Sequence, residues 1–465
     1  MQIEKESKLT DNPSLSKIKG RVYFDITPAI RHIILEGNVT GIQRVEINIA
    51  LQMAKNISNS YISFFNKELE KHQCCPAYSI TEEYPPTREL ILSKFGALES
   101  GFFPRKWAMK AILNRSQKRG LSRAIFKFYI LLLTVFNRKE YHSHFPKPVC
   151  EKIPLESVSD FSAEDIVYVI GNVITAPDLI EPLRKLKKKG GIVIQTIHDI
   201  IPLTQPNLVP SDAIFNFKNW IAKLPYYANN LVCVSDYTKK EFTKFFDQSN
   251  FSSITTIPLA HEFIGYSRPS GPKNSPSKII SPGERYILCV GTIEIRKNGA
   301  NLLKAWKKVI EEFGGDTPHL VFAGKLGWHL ESFYEVLNSD KLLKSFIRII
   351  DKPTDDAIAK LYRNCMFTIF PSQYEGWGLP IGESLWFGKA CISSNVTSMP
   401  EVGQDLVCYI NPHDVDQIAV AVIDLLSNEN KIYEWEEKIS SSKLRIWSDV
   451  SKDISKLIVG IDQCR

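Results

Sequence analysis

The segment FPSQYEGWGLPIGESLWFGKACI, Phe370 to Ile392, decides the fold. Thr368, Ile369 and Phe370 close an apolar run of strand type. In the loop that follows, Gly376 and Gly378 leave room for a ligand against the backbone. Pro380 suits the first turn of a helix, where its missing N–H costs nothing, and Gly388 suits the helix end. The reading is therefore strand, thin loop, short helix. It places Glu375 in the loop and Glu383 in the first turn of the helix, with seven residues between them. A helix N-terminus offers unpaired N–H groups and partial positive charge, which suit a phosphate. Carboxylates beside it can accept hydrogen bonds from sugar hydroxyls. Acidic residues are also common at helix starts for structural reasons alone, so the neighbours must decide.

The spacing Glu375-x7-Glu383 within EGWGLPIGE resembles the signature of the family 4 retaining glycosyltransferases of GT-B fold, including bacterial mannosyltransferase-type enzymes of surface polysaccharide synthesis. Four further segments resemble that family: TIHDIIPL (Thr196–Leu203), GTIEIRKN (Gly291–Asn298), VFAGKLGW (Val321–Trp328) and MPEVGQD (Met399–Asp405). They occur in the family's order. The likeness runs nearly throughout from about Tyr286 to Leu426 and in patches before that.

Composition agrees with a large soluble protein. The chain has 465 residues, 44% hydrophobic and 23% charged, enough for two or three domains. Nine cysteines are scattered without C-x-x-C or metal-ligand spacing, and Cys233, Cys289 and Cys391 sit in apolar runs, where a free thiol acts as a small hydrophobe. That usage points to a reducing, cytoplasmic home. The start, MQIEKESKLTDNPSLSK, lacks the apolar core of a signal peptide, and no apolar run is long enough to span a bilayer. Net charge is +7 but uneven, since Arg105 to Lys139 holds ten Lys/Arg and no acid. Helix-period apolar residues there, such as Trp107, Ala111 and Ile112, alternate with Lys110, Arg115 and Arg119. Such a segment suits a peripheral contact with an anionic membrane surface. A solvated insertion is the plainer alternative, and no nucleic-acid-binding motif accompanies it.

Along the first half, RVYFDIT (Arg21–Thr27) alternates as a strand, and Thr40-Gly41 precedes a helical pattern of Ile42, Val45, Ile49 and Met53. A glycine at such a turn lets the backbone approach a ligand. The family resemblance places a Gly-rich loop here, although Gln43 stands where a second glycine is often found. DIVYVIGN (Asp165–Asn172) and GGIVIQTIHDII (Gly190–Ile201) are near-continuous apolar runs, as expected of strands covered on both faces, with a helix between them. His198-Asp199 falls at the C-terminal edge of its strand, the edge at which open α/β sheets bind ligands. Ser235 or Asp236 is a helix cap. SRPSGPKNSPSKIISPGE (Ser267–Glu284) has linker composition.

The second half opens with YILCVGT (Tyr286–Thr292) as a buried strand, then Arg296-Lys297 in a loop. An arginine fork and a lysine point charge can together neutralise a leaving diphosphate without a metal. HLVFAGKLGW repeats the plan with Gly324 and Lys325. Asp351-Lys352 stands where the family usually has a glycine bordering the nucleotide base, which leaves the carrier nucleotide open. Asp355-Asp356 reads as a helix start rather than a metal pair.

The expected fold is α/β, GT-B-like, with two doubly wound Rossmann-type domains facing across a cleft. Residues 1–19 are expected as a flexible tail and 20–270 as the acceptor-side domain with a basic helical insertion at about 100–150. Residues 271–284 are the linker and 285–465 the nucleotide-sugar domain, its last helices packing near the lobe junction. The resemblance implies a retaining, metal-independent hexosyltransferase. Its donor would be GDP- or UDP-linked, with mannose the first sugar to test. Its acceptor would be a glycan or lipid-linked hydroxyl in capsule or O-antigen synthesis. It implies that His198, Glu375, Arg296 and Lys297 serve the reaction and that Glu383, Gly291, Gly324, Gly41, Gly378 and Leu379 contact the donor. An epimerase or phosphorylase of the same fold, and a non-catalytic glycan- or partner-binding protein, are the alternatives.

Overall fold

The computed structural model of the protein describes residues 18–36, 41–53, 56–67, 69–79, 153–269 and 284–465. The basic Arg105–Lys139 segment, the strand or linker piece at Leu90–Leu92 and nearly all of the tail and linker lie outside these residues.

The first sheet has eight strands in the order β4-β3-β2-β1-β5-β6-β7-β8. They are β1 (Val22–Asp25), β2 (Ser60–Asn66), β3 (Lys71–Pro76), β4 (Glu156–Val158), β5 (Ile166–Val169), β6 (Ile192–Ile197), β7 (Asn230–Cys233) and β8 (Ser253–Thr256). All neighbours are parallel except β2–β3 and β3–β4, so the sheet carries an antiparallel edge. The second sheet is wholly parallel, in the order β11-β10-β9-β12-β13-β14. Its strands are β9 (Tyr286–Val290), β10 (His319–Ala323), β11 (Ile347–Ile350), β12 (Thr368–Phe370), β13 (Cys391–Ser394) and β14 (Cys408–Ile410).

Near-continuous apolar runs become strands here because both sheet faces are covered. Side chains alternate across a strand, so each run feeds two cores. In β1, Val22 and Phe24 enter one core and Tyr23 the other. In β9, Ile287 and Cys289 pack on one face, Tyr286 and Leu288 on the opposite one. This is the doubly wound arrangement, and its strand order reverses between β1 and β5 and between β9 and β12. The described cysteines are free. Among the described residues, no helix is long and apolar enough to cross a membrane.

One core ignores the lobe division. Phe370, Trp377, Ile381, Leu385 and Met399 of the second half share a cluster with Val22, Phe24, Val45 and Ile170 of the first. The C-terminal helix, Trp447–Gln463, joins the same cluster through Trp447, Val450, Ile454 and Ile458. It lies along the Gly41–Met53 helix. Trp447 is 2% exposed, and its indole N–H donates to the Glu262 carbonyl at 3.0 Å. Removing a buried Trp side chain costs about 3–5 kcal/mol. Trp447→Ala is expected to destabilise the chain by that much in chemical denaturation. Tyr433→Ala, at an exposed position on the preceding helix, should stay within about 0.5 kcal/mol.

Candidate functional site in the cleft between the lobes

The C-terminal edges of β9, β10 and β12 face the first lobe across a cleft of about 460 Å³. Ligand sites of open α/β sheets sit at such edges. The cleft brings together every residue that the family resemblance assigns to the reaction or the donor: Gly41, His198, Gly291, Arg296, Lys297, Gly324, Glu375, Gly378, Leu379 and Glu383 all line it.

The glycines are needed for space. Gly291 has φ 137°. A Cβ on Gly324 would lie 2.0 Å from the Gly291 carbonyl oxygen, so two adjacent strand ends approach more closely than side chains permit. The turn after β9 is closed by Asn298, which takes the left-handed conformation at φ 64°. Its amide donates to the carbonyls of Pro371 at 3.1 Å and Pro412 at 2.6 Å. That turn aims Arg296 and Lys297 into the cleft.

Both cations converge on Glu375. Arg296 and Lys297 each reach one carboxylate oxygen at 2.6 Å, and Ser372 Oγ donates at 2.6 Å. Arg296 also pairs with buried Glu294 at 2.6 Å and donates to the Tyr374 carbonyl at 2.7 Å. Lys297 stands 4.6 Å from the Phe370 ring centroid. Burial opposes charge on Glu375, but the Arg296 and Lys297 cations outweigh it and hold its pKa at about 2. Burial likewise works against charge on Arg296, yet Glu375 and Glu294 keep its pKa above the ordinary value.

His198 faces this group from the first lobe. Its Nε2 lies 2.8 Å from the Ile170 carbonyl oxygen. A carbonyl only accepts, so Nε2 carries the hydrogen and Nδ1 keeps its lone pair. Burial lowers its pKa to about 4, so the ring is neutral near pH 7. It is an acceptor for a hydroxyl rather than a cation for phosphate. Asp199 accepts from the Ile201 N–H at 3.1 Å, and burial raises its pKa.

Glu383 departs from expectation. The helix starts at Leu379 because Gly378, with φ 113°, forms its N-cap. Glu383 is therefore in the second turn, not the first. It is buried, accepting from Arg44 at 2.7 Å and from the Tyr362 hydroxyl at 3.0 Å. Gly41 opens the helix that carries Arg44, and a Cβ there would meet Leu379 at 3.5 Å. Lys352, at the position where a glycine was expected, takes φ 52° on the cleft wall. Asp355 and Asp356 begin a helix capped by Thr354.

The lobes are held together by polar contacts that the sequence did not announce. A Cβ on Gly376 would fall 1.9 Å from the His198 carbonyl oxygen, so only glycine fits. The hydroxyls of Ser235 and Thr238 donate to the Gly376 carbonyl at 2.8 and 3.2 Å. Ser235 thus caps its helix, as expected, and also ties the lobes. Glu401, within MPEVGQD, accepts the N–H groups of Asp236 and Tyr237, both at 2.8 Å. Its helix-capping partner is more than 160 residues away, which local pattern cannot reveal.

Two acid-sensitive windows follow. His198 is buried neutral, so the unfolded chain binds its proton first and stability falls from pH 6.5 toward about 4. Glu375 is buried charged, so its contribution is present above its ordinary pKa of 4.5 and fades toward about 2. Thermal midpoints measured from pH 7 to 3 should show both losses. His198→Gln should flatten the upper window and Glu375→Gln the lower one.

Residues 272–441 match the family described as glycosyl transferases group 1. The O-antigen chain mannosyltransferase B of Escherichia coli is 29% identical over 238 residues, covering 51% of this chain and 62% of that protein. The serotype-specific mannosyltransferase WbdA of Escherichia coli is 26% identical over 298 residues, 61% of this chain and 36% of that protein. The chain thus matches between about a third and three-fifths of the length of these relatives. Among solved structures, a sucrose-phosphate synthase from Thermosynechococcus elongatus superposes with a TM-score of 0.57 at 13% identity, covering 97% of this chain and 100% of that one. The chain has the GT-B fold, and its second lobe is similar to the glycosyl transferases group 1 family over residues 272–441.

Proposed function

We propose that this protein is a glycosyltransferase that moves a hexose, with mannose the first candidate, from a nucleoside-diphosphate sugar to a hydroxyl of a glycan or lipid-linked acceptor during surface-polysaccharide assembly. The observation that carries the reading is the convergence of Arg296 and Lys297 on Glu375, facing neutral His198 across the cleft. The names of the Escherichia coli relatives support mannose and O-antigen.

In this reading the leaving diphosphate takes over Arg296 and Lys297. Negative charge grows on its bridging oxygen as the sugar becomes oxocarbenium-like, and cations already in place favour that state over the ground state. Because two side-chain cations supply the charge, no metal is required. Glu375 then accepts from donor sugar hydroxyls, His198 Nδ1 from another, and Glu383 from the ribose diol. Retention at the anomeric carbon is part of the proposal, resting on the family resemblance; no nucleophile is assigned. The reaction would run in the cytoplasm or against the inner face of the plasma membrane. An epimerase of the same fold would form product without an acceptor, so acceptor dependence separates the two.

Losing one charge-assisted hydrogen bond costs about 1.5–3 kcal/mol. Arg296→Ala should therefore lower transfer at least about tenfold with the fold intact. Near-wild-type turnover would remove Arg296 from the site. In thermal-shift assays without added metal, a hundredfold excess of ligand over Kd stabilises by about 2.7 kcal/mol. GDP and GDP-mannose are expected to raise the midpoint. A shift with UDP species alone would discard mannose, and no shift with any nucleotide sugar would contradict the transferase reading.

A further inference from the structure

Arg44 is the one guanidinium that reaches from the first lobe into the donor side of the cleft among the described residues. It sits one turn into the Gly41–Met53 helix and ends between two carboxylates of the second lobe, Glu383 and Asp355, at 2.7 Å from each. Its side chain is 20% exposed, its carbon Cζ lies 4.8 Å from the Phe263 ring centroid, and its buried Nε has no hydrogen-bond partner. No local feature of the sequence marks it: on a helical wheel it is a solvated arginine.

We propose that Arg44 is a positioning residue that keeps Glu383 ionised and aimed into the cleft, so that the second lobe's nucleotide site is complete only when the first lobe closes on it. This rests on the reading above, in which Glu383 accepts the ribose diol. The surroundings of Glu383 leave little else to hold its charge. From its own lobe, the Asp355–Asn364 helix presents the neutral Tyr362 hydroxyl to Oε2 and the like-charged Asp355 carboxylate. Behind the neighbouring Gly382 lies His261, whose Nε2 is engaged with the Val402 carbonyl at 3.0 Å. Arg44 is thus the sole cation in contact with Glu383 among the described residues. Burial raises the Glu383 pKa, with Arg44 the leading opposing influence and Asp355 pushing it up further. Without Arg44, the carboxyl protonates at higher pH, and a protonated carboxyl gives a diol one acceptor fewer. The bond spans the lobes, so opening the cleft separates Arg44 from Glu383 and releases nucleotide and cation together.

The test uses the full chain and titrates GDP and UDP by calorimetry from pH 8 to pH 6. Arg44→Met should bind the preferred nucleotide at least about tenfold more weakly. It should also lose further affinity, relative to wild type, as the pH is lowered and Glu383 protonates. Arg44→Lys keeps a cation beside Glu383 and should restore the wild-type pH dependence even where affinity is reduced. A Met variant with wild-type affinity and pH profile, or a Lys variant as pH-dependent as Met, would overturn the assignment while leaving the transferase reading standing. A wild-type chain that binds neither nucleotide would overturn both.

Discussion

A carboxylate removed from water must be compensated, and Glu375 meets that demand by drawing Arg296 and Lys297 onto its two oxygens. The loop after β9 can supply both cations only because Asn298 closes its turn in the left-handed conformation and is held by the loops after β12 and β14. The loop after β12 can reach the first lobe only because Gly376 has no side chain to strike the His198 carbonyl. One buried charge therefore organises two loops of the second lobe and their seat on the first. The cations that compensate Glu375 are also those a diphosphate would need, so in the proposed function binding would exchange one anion for another instead of creating a new set of contacts.

The lobes are coupled by more than the site. A shared apolar core and the Trp447–Gln463 helix join them. Polar contacts link them as well: Ser235 and Thr238 to Gly376, Glu401 to the start of the Asp236–Phe245 helix, and Arg44 to Glu383 and Asp355.

Much of this was legible in the sequence, for physical reasons. Strands covered on both faces must be apolar at nearly every position, so Asp165–Asn172, Gly190–Ile201 and Tyr286–Thr292 stand out. Glycines at strand ends, the serine cap at Ser235 and the acidic start at Asp355 are local features with local causes. What stayed hidden is long-range. Arg44 and Glu383 are 339 residues apart. Glu401 satisfies a helix end in the other lobe, where no neighbouring residue signals it. β3, the segment KHQCCP, pairs antiparallel with both of its neighbours near the sheet edge and lacks the apolar run that marks the parallel strands. Glu383 falls in the second turn because Gly378, at φ 113°, caps a helix that already begins at Leu379, and nothing local in the sequence shows that conformation.

The central claim is that the cleft recognises a diphosphate through side-chain cations. The direct measurement is a calorimetric titration, with a metal chelator present, of GDP and UDP against guanosine and uridine. Each charge-assisted contact to Arg296 or Lys297 strengthens binding severalfold or more, so the preferred diphosphate should bind at least about a hundredfold more tightly than its nucleoside. Equal affinity for nucleoside and diphosphate would contradict the account.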